Sequence, residues 1–422
     1  MLKTNPLLFL FFLLAPEALL AGSSDDPFNQ EKSFSSKIEI NAGYQFSSDA
    51  ITNHLARTYF LAGFIDRDMK NTVSKQLFPV NRLGADAGYS ITYTRKINSF
   101  LHKPGFSWFV SLVDQDHLHA EFTRDAFEIY FKGNSAYAGR QAELGKFDFF
   151  LLHYQQILFG LQREYSCGHG ILKYEFGIGF NKGQKFQALH SDRASLFTSA
   201  DGEYLDIDFD LTLRGSDSLK SNLGAFNGTG GSLQFAASYT DEQKNEFSFR
   251  LQNFGFIQFS DQSYSVPADS NFKFEGIDAT SLFDFSDSIR TPVSSDSTYV
   301  RGFLTRRSKG SYSCKLPARL SVSYRKELPD DKTGISIGLD HVFFTSYLPH
   351  GWCRFERKIN NRHQFGVIAG YGGYTLWQLG LSYKLNLAGN WLLGLESPFL
   401  SGWLNSKSGR AQGAFVSLRK YL

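Results

Sequence analysis

Apolar and polar side chains alternate with a period of two along most of this 422-residue chain, which constrains its fold more than any other feature. In 37–46, Ile38 and Ile40 point to one side, and Lys37 and Glu39 point to the other. Successive side chains of a strand point to opposite faces, so this spacing predicts β-strands and not helices. The same alternation occurs in 88–97, 171–180, 204–214, 232–239, 246–252, 319–325, 334–344, 364–371 and 377–385.

Each predicted strand has one apolar face and one polar, often charged face. A soluble sandwich turns its apolar faces inward, whereas a membrane barrel turns them outward to lipid and keeps a polar interior. A strand length of about ten residues suits a tilted membrane crossing. The chain has 42 Phe, 20 Tyr and 5 Trp, and aromatic residues near strand ends, such as Tyr371, Tyr374 and Trp377, are typical of the lipid-facing girdles of membrane barrels. These features favour the barrel.

After residue 22, the sequence has no window of about 18 residues without charged or strongly polar side chains, so no membrane-spanning helix is predicted. Only helices and closed barrels satisfy every backbone group in lipid. Two strands with one short turn and one longer loop take roughly 55–60 residues, so about 400 residues predict about 14 strands, within a range of about 12 to 16. We therefore expect an all-β fold, a single antiparallel transmembrane barrel.

The N-terminus has the three-part layout of a secretory signal. Lys3 is positively charged, the run from Leu7 to Leu14 is apolar, and the small residues Ala21 and Gly22 suit signal peptidase. We expect 1–22 to be a cleaved signal peptide and 23–422 to form a barrel in the outer membrane of a Gram-negative bacterium. Outer-membrane lipid is one predicted partner. The barrel insertion machinery is another, because Ala414, Val416, Leu418 and Leu422 form one apolar face of a predicted last strand.

Gly, Asn, Asp and Pro clusters mark the predicted turns, and Ser/Asp-rich stretches mark the predicted long loops. The long loops are 187–203 and 260–316, and the apolar content of the second indicates a lid, a plug or a hairpin in place of a disordered segment. Segment 124–132 fits a short helix and a strand equally well. The turns are Cys167–Gly170, Asn227–Gly231, Asp241–Lys244 and Pro329–Lys332.

Charge and motifs exclude several classes of function. The chain has 44 Lys+Arg against 41 Asp+Glu, and this balance argues against nucleic-acid binding, which needs a basic surface. No phosphate-binding loop, dinucleotide fingerprint, paired cysteine motif or nucleophile elbow is present. Three cysteines make no disulfide framework. We predict no cofactor, no metal and no enzymatic activity, with a hydrolase in the barrel as a distant alternative.

Two histidine motifs carry candidate chemistry. In the segment 114–119, His117 and His119 share a strand face and could bind a divalent metal, but the sequence places no third ligand beside them. Ser166 and His169 flank a Gly turn, for which a tight hairpin is the better explanation, because Gly there serves backbone geometry.

Charged residues on the polar faces of the predicted strands are candidates for a hydrated lumen. Asp206, Asp208 and Asp210 are on alternate positions, so neighbouring carboxylates in this set lie about 7 Å apart. This distance is too large for all three to bind one cation without ligands from neighbouring strands. Neutralisation by a basic residue of a neighbouring strand, such as Arg250, is the simpler explanation for them. The lumen-facing candidates are Asp206, Asp208, Asp210, Arg214, Arg250, Arg319 and Arg325.

Five segments occur in a fixed order, and together they extend over the chain from about residue 80 to its end. The segments are Phe127–Asn134, Tyr154–Tyr165, Phe226–Tyr239, Phe274–Asp278 and Leu316–Arg319. They resemble an uncharacterised family of Bacteroidota outer-membrane barrels, a domain of unknown function that is distantly similar to long-chain fatty-acid transporters and to outer-membrane components of type IX secretion. The N-terminal plug of the fatty-acid transporters is not recognisable in 23–60, so the resemblance implies fold and location and no specific activity.

Two functions from different classes follow from this pattern. The barrel could transport a small or hydrophobic solute, with 260–316 folded inward as its gate. It could also be a non-conducting scaffold of the envelope or a component of a secretion or surface assembly. Transport predicts a path through the lumen, and a scaffold predicts a lumen filled by charged and aromatic side chains.

Overall fold

The computed structural model describes residues 34–217, 224–274, 307–405 and 407–422. The predicted signal peptide, 1–22, and the central part of the predicted lid, 275–306, lie outside the described residues. None of the described helices is long and apolar enough to cross a membrane.

The described residues form one 19-stranded sheet. Its strands match the segments that the alternation predicts, to within one residue at 204 and at 344. They are β1 Ser36–Ser48, β2 Val80–Ile97, β3 Phe106–Thr123, β4 Arg140–Glu143, β5 Phe147–Cys167, β6 Gly170–Thr198, β7 Leu205–Gly215, β8 Gly228–Asp241, β9 Glu246–Phe259, β10 Tyr264–Phe274, β11 Ser308–Lys309, β12 Tyr312–Lys315, β13 Ala318–Glu327, β14 Thr333–Phe343, β15 Leu348–Lys358, β16 His363–Gly373, β17 Trp377–Leu387, β18 Trp391–Ser397 and β19 Ala411–Tyr421.

Fourteen of these strands close into an antiparallel barrel. The first and last strands pair over eleven positions, from Lys37↔Tyr421 to Ser47↔Ala411. Closure leaves no free edge, which is the requirement for a sheet that spans lipid. The fold class and the strand number predicted from the sequence are therefore confirmed. The order around the ring is β1, β2, β3, β5, β6, β8, β9, β13, β14, β15, β16, β17, β18, β19.

The start of β1 and the end of β19 meet at one end of the barrel, called here the terminal end, where the Leu422 amide donates to the Ser36 carbonyl at 2.8 Å. The predicted turns at 167–170, 241–244 and 329–332 all lie at this end. The turn predicted at Asn227–Gly231 is wrong, because Gly228 begins β8. A Cβ on Gly230 would lie 1.9 Å from the Phe256 carbonyl oxygen, so this glycine permits close strand packing.

The opposite end carries the helices and is called the helix end. Segment 124–132 is a helix, because Thr123 caps it: its hydroxyl accepts the Ala126 amide at 3.1 Å, and Phe127 is buried on its inner face. The helices are α1 Asn53–Phe60, α2 Arg67–Ser74, α3 Arg124–Lys132 and α4 Leu400–Leu404, with a 3-10 turn at Ser135–Tyr137.

Part of the sheet extends beyond the barrel at the helix end. β6 has 29 residues; its first part pairs with β8 in the barrel wall, and its second part pairs with β7, which in turn pairs with β10. The loop predicted at 187–203 is therefore wrong up to Thr198. Its polar residues are held in a sheet because β7 supplies the backbone partners, as in Arg193↔Asp210.

Apolar side chains cover the outer wall and polar side chains line the interior. Leu112, Phe159, Ile178 and Ile337 are each half-exposed on the outer face, where lipid would cover them. Inner positions on the same strands are polar and buried, for example Ser111 and Gln156.

Candidate functional site

The segment 114–119 is divided between the two faces of β3. Asp114 and Asp116 share the outward face with the exposed Leu112, whereas His117 and His119 point into the barrel. Strand alternation requires this division, because even and odd positions face opposite sides.

The inward histidines belong to a chain of ionisable side chains. His117 contacts Asp86 at 2.5 Å through Nδ1 and His119 at 3.1 Å through Nε2. His119 Nε2 lies 3.4 Å from Asp148, and Asp148 lies 3.3 Å from His190. This series of ionisable side chains thus extends from the buried interior to the exposed surface at the helix end. Both ring nitrogens of His117 are used in these contacts, so neither is left to hold the metal ion that the sequence raised as an alternative.

Tyr374 narrows the lumen at the helix end. It follows β16, yet its ring lies against Gly84 of β2, and β17, β18, β19 and β1 separate these two strands around the ring. A Cβ on Gly84 would lie 2.0 Å from Tyr374 Cε2, so this glycine makes room for the ring. Tyr347 packs edge-on against Tyr374 at 5.0 Å between ring centroids. Burial raises the pKa of both phenols above its ordinary value.

Two cavities meet at Tyr374 and Arg319, which line both of them. One reaches the histidine chain at Asp86 and His117. The other is lined by groups of both charge signs together with aromatic rings. These include Asp340, His350, Arg354, Glu396, Tyr347 and Trp352.

Ion pairs cross between neighbouring strands on the inner face. Glu356 accepts from Arg325 at 2.7 Å and lies 3.4 Å from Lys384. Arg354 contacts Glu396 at 2.9 Å, in a second pair on the same wall. Buried carboxylates with basic partners on both sides avoid the cost of an isolated charge.

A compact apolar cluster fills the interior between β5, β6, β9 and β12. Its centre is formed by Tyr154, Phe186 and Phe259, and the rings of Phe186 and Phe259 are 4.5 Å apart. Cys314 and Leu316, from the described C-terminal part of the predicted lid, are buried in it. All three cysteines are free thiols.

The residues predicted to face the lumen separate into two groups. Arg319 lines both cavities and Arg325 pairs with Glu356, and Arg250 is on the inner face of β9, opposite the outward Phe249. The other four are in β7, in the sheet extension and not in the ring of fourteen strands. They are Asp206, Asp208, Asp210 and Arg214.

The partners of the β7 charges differ from the expected ones. Arg193 of β6, and not Arg250, pairs with Asp208, and its guanidinium also bonds Asp269 at 2.8 Å. The Arg214 guanidinium lies over the Tyr312 ring at 5.0 Å. At the terminal end, the exposed His169 lies 3.1 Å from Glu242 across the hairpin connections.

Sequence reasoning missed Asp86 and Gly84. It placed Tyr374 in the lipid-facing girdle, which is wrong, because the ring lies inside the barrel against Gly84. Alternation could have placed Asp86 on the polar face of β2, opposite Tyr89. Nothing in a single sequence could have indicated that Tyr374, in a short connection after β16, reaches a glycine five strands away around the ring.

Several solved structures are similar to this chain in shape, at very low sequence identity. One is the TodX deltaS2S3 mutant monoaromatic hydrocarbon channel, with a TM-score of 0.47, 7% identity, and coverage of 93% of this chain and 91% of that chain. The toluene transporter TodX of P. putida has a TM-score of 0.45 and 7% identity, with 94% and 93% covered. The translocator domain of the autotransporter NalP from Neisseria meningitidis has a TM-score of 0.34 and 8% identity, with 94% and 91% covered.

No curated protein matches the chain. A family model does match, over residues 31–396, which include most of the barrel and most of the residues that line the two cavities. The match extends over well more than half of the chain, and the chain therefore belongs to DUF5723, a family of unknown function.

Proposed function

We propose that this protein is an outer-membrane conduit for small polar solutes, narrowed in the described conformation by Tyr374 and Arg319. The observation that carries the proposal is that two cavities in the lumen meet at these two side chains. In this account, 1–22 directs export, and β19 is the strand that the insertion machinery recognises.

Barrel size supports a conduit. In a ring of about eight strands, inward side chains fill the interior, whereas 16–18 strands leave an aqueous channel. Fourteen strands enclose more space than ordinary inward side chains fill, and here large aromatic rings and the apolar cluster around Phe186 occupy part of it. A wide ring with a few occluding side chains suits a passage that opens when those side chains move.

The lining favours polar solutes over hydrophobic ones. Arg319, Asp340, His350 and Gln378 present both donors and acceptors to the second cavity. A hydrophobic solute would displace water from these groups without replacing the hydrogen bonds of that water, which costs free energy. A small solute with polar groups of its own can replace the water they lose.

Tyr374 belongs to a short connection between β16 and β17, at residues 374–376. A change confined to this connection could withdraw the ring from Gly84 without breaking the strand pairing that closes the barrel. The wall and the occluding group are therefore separate parts of the structure.

A scaffold remains the second candidate, because the extension formed by β6, β7 and β10 presents an ordered sheet beyond the barrel at the helix end. Such a surface suits a partner in an envelope or secretion assembly. The two functions differ in whether solutes pass.

Solute flux into proteoliposomes tests the conduit. Refolded wild type, Tyr374→Ala and Tyr371→Ala would be compared by liposome swelling with glycine, arabinose and a trisaccharide. Tyr371 is a matched control, because its half-exposed ring is on the outer wall. We expect faster entry of the smaller solutes through Tyr374→Ala only. Equal, background swelling for all three folded proteins would contradict the conduit and favour the scaffold.

A further inference from the structure

Two aspartates and two histidines form one continuous group of side chains on the inner face of the barrel. We propose that Asp86, His117, His119 and Asp148, called here the inner series, hold one proton in addition to the hydrogens of two neutral imidazoles, and that release of this proton loosens the lining of the first cavity. The proton site is independent of whether the lumen conducts, whereas its effect on opening rests on the proposed function.

Strand register places the four side chains along one line. Asp86 of β2 pairs with His117 of β3, and directly paired residues of antiparallel strands project to the same face. His119 is two positions further along β3 and projects to that face as well. Asp148 of β5 is opposite Glu121, the next inward position of β3. The inner series therefore follows the inner face toward the helix end.

Three contacts connect the inner series. His117 Nδ1 lies 2.5 Å from Asp86, and His117 Nε2 lies 3.1 Å from His119 Nδ1. His119 Nε2 lies 3.4 Å from Asp148. Asp86 and both histidines are buried, so contacts with bulk water cannot replace these contacts.

The three contacts need more hydrogens than the neutral rings supply. A carboxylate only accepts hydrogen bonds, and a neutral imidazole donates through one nitrogen and accepts through the other. The two neutral imidazoles therefore supply two hydrogens for three contacts. Whichever tautomers the rings adopt, at least one contact then sets two lone pairs against each other. One additional proton provides a hydrogen for every contact.

The surrounding charges suit a single additional proton. With two carboxylates and one additional proton, the inner series carries one negative charge. Arg319 of β13 is positively charged and lines the first cavity together with Asp86 and His117. Arg82 and Glu121, beside the series on β2 and β3, pair at 3.0 Å and cancel each other's charge. Neutral side chains also surround the two rings, namely Gln45, Gln115, Phe150, Tyr154 and Tyr374.

The inner series has an outlet to solvent. One oxygen of Asp148 faces His119, and the other lies 3.3 Å from His190 Nδ1. His190 is exposed, and its Nε2 lies 3.3 Å from the exposed Asp192. Protons can therefore be exchanged with water at the helix end, although Asp86 at the other end of the series is buried.

Release of the proton changes the lining of the first cavity. It removes the hydrogen from one contact and adds a negative charge to the inner series. Asp86 and His117 line this cavity beside Tyr374, so the lining is held less firmly once a contact is lost. Imidazoles change charge between about pH 5 and pH 8, and we expect the barrel to open more often at the upper end of this range.

NMR of isotope-labelled histidine side chains tests the proton directly, on protein refolded in micelles and titrated from about pH 5 to pH 8. The main variant is Asp148→Asn. Its amide nitrogen can donate to His119 while its amide oxygen still accepts from His190, so all three contacts are satisfied without an additional proton. The control Asp192→Asn removes the same charge from an exposed position outside the inner series.

Asp86→Asn is a second variant, because it supplies the missing hydrogen from the other end of the inner series. Its amide nitrogen can donate to His117, and its amide oxygen still accepts from Gln45, which donates to Asp86 at 2.8 Å in the wild type. Signals absent from His117→Gln and His119→Gln identify the two rings. Heat-modifiable migration on gels verifies that each variant has folded.

We expect the rings of His117 and His119 to take up one proton between them as the pH falls, in wild type and in Asp192→Asn. In Asp148→Asn and Asp86→Asn, both rings should stay neutral over the whole range. Two neutral rings in wild type at every pH would overturn the proposal. Titration of these rings in a folded Asn variant at position 148 or 86, as in wild type, would also overturn it.

Single-channel recordings at about pH 5 and about pH 8 test the effect on opening. Wild type and Asp192→Asn should open more often at the higher pH, and Asp148→Asn should open equally often at both. Equal frequencies in a wild type whose rings do titrate would overturn the effect on opening. Silence from all proteins, including Tyr374→Ala, would overturn the conduit and with it the effect on opening, while the NMR titration still decides the proton site.

Discussion

Tyr374 and Gly84 contact each other across the lumen. The ring of Tyr374 occupies the space that a side chain at position 84 would fill. A Cβ built at Gly84 would lie 2.0, 2.1 and 2.6 Å from three atoms of that ring. Gly84 is in β2 and Tyr374 follows β16, and these two strands are not neighbours, so this contact connects separate parts of the barrel wall.

Gly84→Ala should therefore displace Tyr374 and destabilise the folded barrel. Overpacking at a filled position typically costs about 1–3 kcal/mol in the free energy of unfolding. Urea unfolding in detergent micelles would measure this cost. Gly231→Ala is the control, because the nearest atom to its added Cβ would be 3.8 Å away, an ordinary contact. Equal stability of Gly84→Ala and wild type would show that Tyr374 is not held in this position.

Glu356→Gln should destabilise the barrel more than loss of an exposed acid. Glu356 is buried between Arg325 and Lys384, and removing one partner of a buried ion pair costs about 3 kcal/mol or more because it leaves unpaired charge. Glu164→Gln, which weakens a more exposed pair with Lys173 at 3.1 Å, should cost less than about 1 kcal/mol. The temperature of heat-modifiable migration would rank the two variants, and equal midpoints would contradict a structural role for the Glu356 network.

Asp49 should make stability depend on pH. It follows β1 at the helix end, where burial raises its pKa to about 6 although the Arg82 amide donates to its carboxylate at 2.8 Å. Between about pH 4 and pH 6 the folded state then binds more protons than the unfolded state, so this residue's contribution to stability falls as pH rises.

Asp49→Asn removes that titration while keeping an oxygen acceptor for the Arg82 amide. The unfolding free energy of the variant relative to wild type should rise by up to about 3 kcal/mol between about pH 4 and pH 7, at about 1.36 kcal/mol for each unit by which the pKa is raised. Urea titrations at the two pH values would measure the change. A constant difference between variant and wild type would show that Asp49 titrates as it does in an unfolded chain.

The barrel could be predicted from the sequence because the alternation of apolar and polar side chains can be recognised within each strand by itself. Lipid outside and a polar interior impose strict alternation on each strand, and Ile38, Ile40 and Tyr44 carry that pattern without reference to any other part of the chain. The length of about 400 residues then limits the strand number through the typical size of a hairpin.

The sheet extension and the site depended on contacts between distant segments. The sequence predicts a loop at Ser191 and Arg193, because their own segment is polar. Their backbone partner in the sheet is β7, which comes later in the chain. Alternation does predict that Asp206, Asp208 and Asp210 share one face, but it cannot distinguish a strand of the barrel from a strand of the extension. Likewise, period two divides Asp116 from His117, yet only the register shows that Asp116 meets His153 on the outer wall.

Single-channel conductance in a planar bilayer tests the central claim most directly, with wild type, Tyr374→Ala and the outward control Tyr371→Ala measured at the same protein concentration. Removal of the ring that lies against Gly84 should give Tyr374→Ala steady openings larger or more frequent than those of wild type, and Tyr371→Ala should match wild type. Silence from all three proteins, with heat-modifiable migration proving that each barrel had folded, would contradict a lumen closed by Tyr374 and would favour a scaffold.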